Sequence, residues 1–196
     1  LALGTGREAI AEEMWPDTDQ KKQRNNLGVQ LNMLRKLVEP WGVTTYLLES
    51  SLTRFESDHA QLGSALARGD AEAVSALYRG PLAPGVDVGT VVEERLNLRE
   101  RVLDVLLAGA EASAAAANGP DGAQKVEDAV RYLKRLLELE PLHEEAVQAL
   151  LGLLMQLGRR RDAQRTLERF AQLLRLETGL EPQPRTLALL GKAAVG

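Results

Sequence analysis

The sequence predicts a mainly α-helical protein that contains one short β-hairpin. Helix-forming residues dominate the 196 residues, and the Gly/Pro clusters between them leave mostly segments of helix length. Hydrophobic residues make up 44% and charged residues 27%, which is the ordinary balance of a globular protein. Only residues 44–55 combine β-branched and aromatic residues with a central turn. We expect a first domain over residues 1–57 and a second over residues 58–196.

Several classes of chemistry have no residues to support them. The chain has no cysteine, so disulfides and thiolate metal sites are excluded. His59 and His143 stand alone, and we expect both at exposed helix starts rather than as metal ligands. No phosphate loop, nucleophile elbow or recognisable carboxylate pair occurs. No apolar run approaches the ~18–20 residues of a membrane span. We therefore expect a cytoplasmic protein that is not an enzyme and has no cofactor or metal.

The first domain should open with two helices. Residues 7–15 predict a short amphipathic helix that ends at a turn containing Pro16. A longer helix is predicted from Gln20 to Val38. At about 100° per residue, its apolar side chains fall on one narrow stripe that must face a core. That stripe consists of Leu27, Leu31, Leu34 and Val38.

The opposite face of the longer helix is polar and basic, since no acidic residue occurs between Asp19 and Glu39. Amide side chains can bridge base edges, an apolar side chain can meet a thymine methyl, and cations can hold phosphates. The face is therefore typical of a helix that enters a DNA major groove. An ordinary solvated helix face would carry similar residues and is the alternative. The face comprises Lys22, Asn25, Val29, Asn32, Met33 and Lys36, with Lys21 and Asn26 on its flanks.

The order of elements favours the DNA-binding interpretation. A short helix, a turn, a polar-faced helix and a hairpin over residues 44–55 follow one another. This is the order of the latter part of a winged helix-turn-helix, in which the hairpin forms the wing. We expect the first domain to be a partial winged helix.

The second domain should be a helical repeat. Thr90 and Glu93 form a capping box for a long helix that runs to about Ala117. Residues 128–135 and 162–169 share Asp, Ala, Arg, Leu and Arg at an offset of 34 residues, the period of TPR repeats. Pro141 follows the first matching helix, and Gly158 separates helices over 144–157 and 159–177. The apolar stripes of these helices predict a TPR-like stack, although helices rich in Ala, Leu and Arg can match by chance.

Three arginines, Arg159 to Arg161, open one of these helices. Positive charge is disfavoured at a helix N-terminus by the helix dipole. Contact with an acidic partner or with DNA phosphate would explain this placement. Neutralisation by the nearby Asp162 and by the preceding acidic helices is the interpretation we favour.

Several separated motifs in the same order resemble the Streptomyces antibiotic regulatory protein (SARP) family, whose helical part is the bacterial transcriptional activator domain. Members of that family begin the winged helix with a small β-sheet and a full first helix. This chain opens at Leu1-Ala2-Leu3-Gly4, so we expect that portion to be absent or to belong to a longer polypeptide. The motifs are Arg7-Glu8 through Trp15-Pro16-Asp17, Arg24-Asn25-Asn26-Leu27 through Leu34-Arg35-Lys36, Leu77-Tyr78-Arg79-Gly80-Pro81-Leu82 with Pro84-Gly85, Glu93-Glu94-Arg95, Leu139-Glu140-Pro141-Leu142, and Thr178-Gly179-Leu180-Glu181-Pro182.

The resemblance implies a DNA-binding transcriptional activator with a winged helix of the response-regulator type. Its helical domain would serve dimerisation, activation and contact with RNA polymerase, so the implied partners are double-stranded DNA, RNA polymerase and a second copy of the chain. A TPR-like interaction scaffold whose partial winged helix does not bind DNA is the alternative. The resemblance places Asn25, Asn26, Val29, Gln30, Asn32, Met33 and Arg35 on DNA, and we expect Lys21, Lys22, Arg24 and Lys36 to hold phosphates.

Overall fold

The computed structural model describes residues 6–38, 58–86, 89–119 and 121–191, except for the side chains of 34–38 and of Thr90. These residues form a mainly α-helical protein. The chain divides into two compact units. The first comprises residues 1–56 and 81–97, and the second comprises residues 57–80 and 98–196. No helix in the described part of the chain has the length and apolar character needed to cross a membrane.

The first unit contains the helix pair that the sequence predicts. Helix α1 spans Arg7–Met14, and α2 spans Gln20–Val38, the bounds expected for it. A short turn at residues 15–19 joins the two helices, so they pack against each other as a hairpin. Ala11 of α1 and Leu27 of α2 are buried. The predicted β-hairpin at 44–55 lies outside the described residues.

The second unit starts with another helical hairpin. Helix α3 spans Asp58–Ala67, and α4 spans Ala71–Leu77. The tight turn between them is possible because Gly69 adopts a positive φ of 64°, which is unfavourable for residues with a side chain. Asp70 then caps α4, since its carboxylate accepts the backbone N–H of Ala73 at 3.0 Å. Leu62, Leu66 and Val74 are buried in this hairpin.

Helix α5 spans Gly89–Ala115 and continues as a 3-10 turn over Ala116–Asn118. The predicted long helix is confirmed, although it begins at Gly89, before the expected cap residue Thr90. A buried residue recurs every fourth position along the middle of the helix, as expected for a helix that presents one face to a core. These residues are Leu98, Val102, Leu106 and Ala110. Gly109 lies beside them, and a Cβ placed there would be 2.3 Å from the Cβ of Ala71 in α4.

The three following helices form consecutive hairpins. Helix α6 spans Gly122–Leu139, α7 spans Glu144–Gln156 and α8 spans Arg160–Thr178, so the predicted helices around Gly158 are confirmed to within two residues. Gly158 itself has a positive φ of 70°. Helix α7 packs against both α6 and α8. The apolar stripes predicted for these helices face the core, since all their residues are buried or half-buried. The stripes consist of Leu133, Leu136 and Leu137 in α6, Ala146, Leu150, Leu153 and Leu154 in α7, and Leu167, Phe170 and Leu174 in α8.

Residues 34 positions apart occupy equivalent places in α6 and α8. Ala129 in α6 and Ala163 in α8 are both fully buried. Leu136 and Phe170, which are related by the same offset, are also buried. The two helices therefore use the same register to face their neighbours, which is the behaviour expected of successive structural repeats.

The last described helix, α9, spans Pro184–Gly191 and packs on α7 and α8. Its Thr186 is fully buried. The hydroxyl of Thr186 donates to the carboxylate of Glu144 and accepts the side-chain N–H of Gln148 at 2.8 Å. The same Glu144 oxygen accepts the backbone N–H of Gln183 at 2.7 Å, just before α9 begins. This network attaches α9 to the first turns of α7, because its hydrogen bonds join Glu144 and Gln148 of α7 to Thr186 of α9.

Candidate nucleic-acid interface

The start of α2 is fixed by Asp19. One carboxylate oxygen of Asp19 accepts the backbone N–H groups of Lys21 and Lys22, each at 3.1 Å. This satisfies two of the N–H groups that have no partner within a helix and places a negative charge at the positive end of the helix dipole. Asp19 therefore explains why α2 begins at Gln20.

The buried face of α2 orients the whole helix. Leu27 is buried and Leu31 is half-buried, as their places on the predicted stripe require. The side chains of Leu34 and Val38, the other two stripe residues, lie outside the described residues. Gln23 is also buried, one helical turn before Leu27, and its side-chain N–H donates to the backbone carbonyl of Trp15 at 2.9 Å. This hydrogen bond joins α2 to the turn after α1.

The opposite face of α2 is open to solvent. Val29 is 55% exposed and Met33 is 62% exposed, although apolar side chains are usually buried. The amide-bearing residues of this face are exposed as well. The exposed residues from the predicted DNA-facing set are Lys21, Lys22, Arg24, Asn25, Asn26, Val29, Gln30, Asn32 and Met33. The side chains of Arg35 and Lys36, which complete that set, lie outside the described residues.

Two cations on α2 take part in surface ion pairs. The ammonium of Lys22 lies 3.4 Å from Asp19, and the guanidinium of Arg24 lies 3.6 Å from Glu8 of α1. All four side chains are more than half exposed. Such pairs contribute about 0–1 kcal/mol each, because water and salt screen them. Both cations can therefore exchange their carboxylate for a phosphate at little cost.

The sequence did not predict that Arg95 would hold a loop of the first unit. The guanidinium of Arg95 donates to three backbone carbonyls of one loop, those of Leu82, Ala83 and Val86, at 2.7–2.8 Å. Ala83 has a positive φ of 42°, which is rare for a residue with a side chain. The planar guanidinium holds this unusual loop by satisfying several acceptors together. Both Arg95 and the loop belong to motifs that carry the family resemblance.

The positive charge of Arg159, the first of the three arginines at the start of α8, is neutralised by carboxylates of the same unit. Arg159 lies 2.9 Å from Asp162 and 3.2 Å from Glu127 of α6. The hydrogen bond to Asp162 is the main reason that the pKa of Arg159 is raised. The favoured interpretation, neutralisation by nearby carboxylates, is confirmed for this arginine.

The two histidines occupy helix starts, as expected, and both are partly buried rather than fully exposed. His59 is the second residue of α3. His143 caps α7, since its Nδ1 accepts the backbone N–H of Ala146 at 3.2 Å. Within the described residues, no group of three histidine, aspartate or glutamate side chains is placed to hold a metal ion. The cap of α7 is thus a structural role for His143.

The described residues thus form an all-helical protein with successive helical hairpins and one exposed, amide-rich helix. More specifically, the chain belongs to the bacterial transcriptional activator domain family, whose model matches residues 51–192. This is a family of regulatory domains and not of enzymes. Comparison with curated proteins and with solved structures gave no match. The matched range includes α3 to α9 and the loop held by Arg95, but it does not include α2.

Proposed function

We propose that the chain is part of a DNA-binding transcriptional activator of the SARP type, in which α2 is the recognition helix of a winged helix. Membership of the bacterial transcriptional activator domain family supports the activator role. The observation that carries the DNA-binding role is the orientation of α2. Its Gln23 and Leu27 are buried, while its amide-bearing face is exposed. A helix held in this way can enter a major groove without any rearrangement of its core.

The exposed face of α2 divides into two kinds of contact. Asn25, Asn26, Gln30 and Asn32 carry amides that can both donate to and accept from base edges. The exposed Val29 and Met33 supply apolar contacts for thymine methyl groups. The proposed phosphate contacts are made by Lys21, Lys22, Arg24 and Lys36, and Arg35 completes the DNA-facing set.

In the proposed function, the second domain, residues 58–196, is a TPR-like domain that binds proteins. The common 34-residue register of α6 and α8 supports this proposal, as does the succession of helical hairpins. By the same resemblance, this domain serves dimerisation and contact with RNA polymerase. A cytoplasmic location goes with such a function.

Binding-site selection from a pool of random double-stranded DNA tests the proposal, followed by fluorescence anisotropy with the selected duplex. Asn25→Ala or Gln30→Ala should each cost about 1–3 kcal/mol, as the loss of a good base contact does. Asn97→Ala provides a matched control, because Asn97 is an exposed asparagine on α5. Equal affinity of the wild type, both α2 variants and the control would count against α2 as the recognition helix.

A second candidate function is a protein-interaction scaffold that does not bind DNA. An open groove in the second unit, over α6, α7 and α8, favours it. Salt dependence separates the two candidates, because phosphate contacts make DNA affinity fall steeply as salt rises. Lys21→Gln should reduce the slope of log affinity against log salt by about 1 if Lys21 holds a phosphate. Absence of any DNA complex at low salt would favour the scaffold.

A further inference from the structure

The groove in the second unit is apolar along its floor. It has a volume of about 690 Å³, within the range of roughly 300–1,000 Å³ found for ligand pockets. Val147 and Leu150 of α7 and Phe170 of α8 line it and are buried. At its edge, Leu176 is 73% exposed. A leucine this exposed beside an apolar groove is typical of a surface that binds another apolar group.

The rim of the groove is positively charged. Lys134 of α6 and Arg169 of α8 line it, together with a single carboxylate, Glu138. Glu138 is already paired with Arg135 at 2.7 Å. No carboxylate in the described part of the chain lies within 4.0 Å of the Lys134 or Arg169 cation. The rim therefore has two cations available to a ligand, while its one carboxylate, Glu138, is neutralised by Arg135.

A basic pocket adjoins the groove and extends this pattern. It has a volume of about 370 Å³ and shares Lys134 and Glu138 with the groove. Its other charged residues are Arg131, Arg135, Arg159 and Glu127. Glu127 is paired with Arg159 at 3.2 Å. Asp128 pairs with Arg131 at 3.2 Å, and Asp162 pairs with Arg159 at 2.9 Å, so the arginines of the pocket are neutralised as well. The charge that remains for a ligand is that of Lys134 and Arg169, and these two cations favour an acidic ligand.

We propose that the groove binds an amphipathic helical segment of a partner protein, with apolar side chains on its floor and acidic side chains against Lys134 and Arg169. We expect the bound segment to be a helix, because the groove lies over three packed helices. In helix-in-groove binding, the bound helix places apolar side chains at spacings of three and four residues. The proposal rests on the proposed protein-binding role of the second domain. It does not depend on whether α2 binds DNA.

Selection of peptides from a random display library against the full chain tests this proposal. The library should encode peptides of about 16 residues, or roughly four helical turns. Enriched peptides should carry large apolar residues at helical spacing together with an excess of aspartate and glutamate. They should also compete with one another, because they share one site. The tightest peptide is then synthesised, labelled and titrated by fluorescence anisotropy.

Two pairs of matched variants locate the site. Leu176→Asp should weaken binding of the peptide about tenfold or more, since it removes an apolar side chain that the peptide would cover and adds repulsion with the acidic residues of the peptide. Leu180→Asp should leave binding unchanged, because Leu180 is 62% exposed and does not line the groove. Arg169→Glu should weaken binding about three- to tenfold. Arg165→Glu is its control, an exposed arginine of α8 outside the groove.

The proposal would be overturned by the absence of any enriched peptide, by enrichment of basic peptides, or by equal affinity of the peptide for wild type and Leu176→Asp. Self-association of the chain that Leu176→Asp abolishes, measured by light scattering, would instead identify a second copy as the occupant and also overturn it. Binding of Leu176→Asp to selected DNA should equal that of the wild type. Failure of the peptide proposal is thereby distinguished from failure of DNA binding.

Discussion

Replacing Gly109 by alanine tests the close packing of α5 in the second unit. A Cβ at position 109 would lie 2.3 Å from the Cβ of Ala71 and 3.5 Å from the ring of Tyr132. Non-bonded carbon atoms are most stable at about 3.5–4.0 Å, so α4 and α5 would have to separate by more than about 1 Å. The atom in the way is the Cβ of a buried alanine, which has no other rotamer to adopt.

The size of the effect follows from two opposing terms. Alanine is favoured over glycine inside a helix by about 1 kcal/mol. Overpacking of a close-packed core costs about 1–3 kcal/mol, and sometimes more. Gly152→Ala isolates the first term, because a Cβ at position 152 of α7 meets nothing within 4 Å. Gly152→Ala should therefore stabilise the protein, and the difference between the two variants should be about 1–3 kcal/mol.

Urea unfolding followed by circular dichroism measures both variants under the same conditions. A difference of 1 kcal/mol corresponds to a change in Tm of about 2–4 °C for a chain of this size, so thermal unfolding provides a second readout. If Gly109→Ala is as stable as Gly152→Ala, α4 and α5 do not approach each other closely at Gly109 and Ala71.

Two further variants test features that hold single elements in place. Thr186→Val removes the hydroxyl shared by Glu144 and Gln148 and should lower the free energy of unfolding by about 1–3 kcal/mol in urea. Thr178→Val also removes a hydroxyl with two hydrogen bonds, to Leu174 and Leu180, but these are exposed and water can replace them, so it should cost less than about 1 kcal/mol. Similar effects of the two threonine variants would refute the buried network. Arg95→Lys keeps the charge but loses the three-carbonyl contact. Hydrogen exchange at the amide of Val86, which donates to the carbonyl of Ala83 at 3.2 Å, should therefore accelerate about tenfold. Unchanged exchange would show that Arg95 does not hold the loop, and Arg101→Lys is the exposed control on α5.

The bounds of α2 could be predicted from sequence because local signals agree there. A turn at residues 15–19 precedes the helix, Asp19 caps it, and the apolar period fixes its buried face. Gly158 similarly separates α7 from α8, since its positive φ is a conformation that glycine adopts at no steric cost. The equivalent burial of Ala129 and Ala163 was likewise visible as a repeat in the sequence.

The interactions that the sequence did not reveal all join a polar side chain to a distant group. Gln23 looks like a solvent-facing residue until the backbone carbonyl of Trp15 is placed beside it. Thr186 is buried only because Glu144 and Gln148 of another helix satisfy its hydroxyl. Arg95 contacts carbonyls whose positions depend on the path of a loop. Such partners are set by tertiary structure, which periodicity and composition do not encode.

For the polar face of α2, the sequence predicts both exposure to solvent and contact with DNA. The sequence predicted which side chains would be exposed, and the described ones are exposed. Whether these side chains contact DNA stays a prediction, because exposure is required for recognition but is also the normal condition of a polar helix face.

A chain labelled with ¹⁵N only at asparagine provides the most direct measurement of that prediction. The sequence has five asparagines, of which Asn25, Asn26 and Asn32 lie on the proposed interface, while Asn97 and Asn118 lie elsewhere. On titration with the selected duplex, the side-chain amide signals of the three α2 residues should shift and those of Asn97 and Asn118 should stay in place. Shifts confined to Asn97 and Asn118, or no shift at saturating DNA, would contradict the assignment of α2 as the recognition helix.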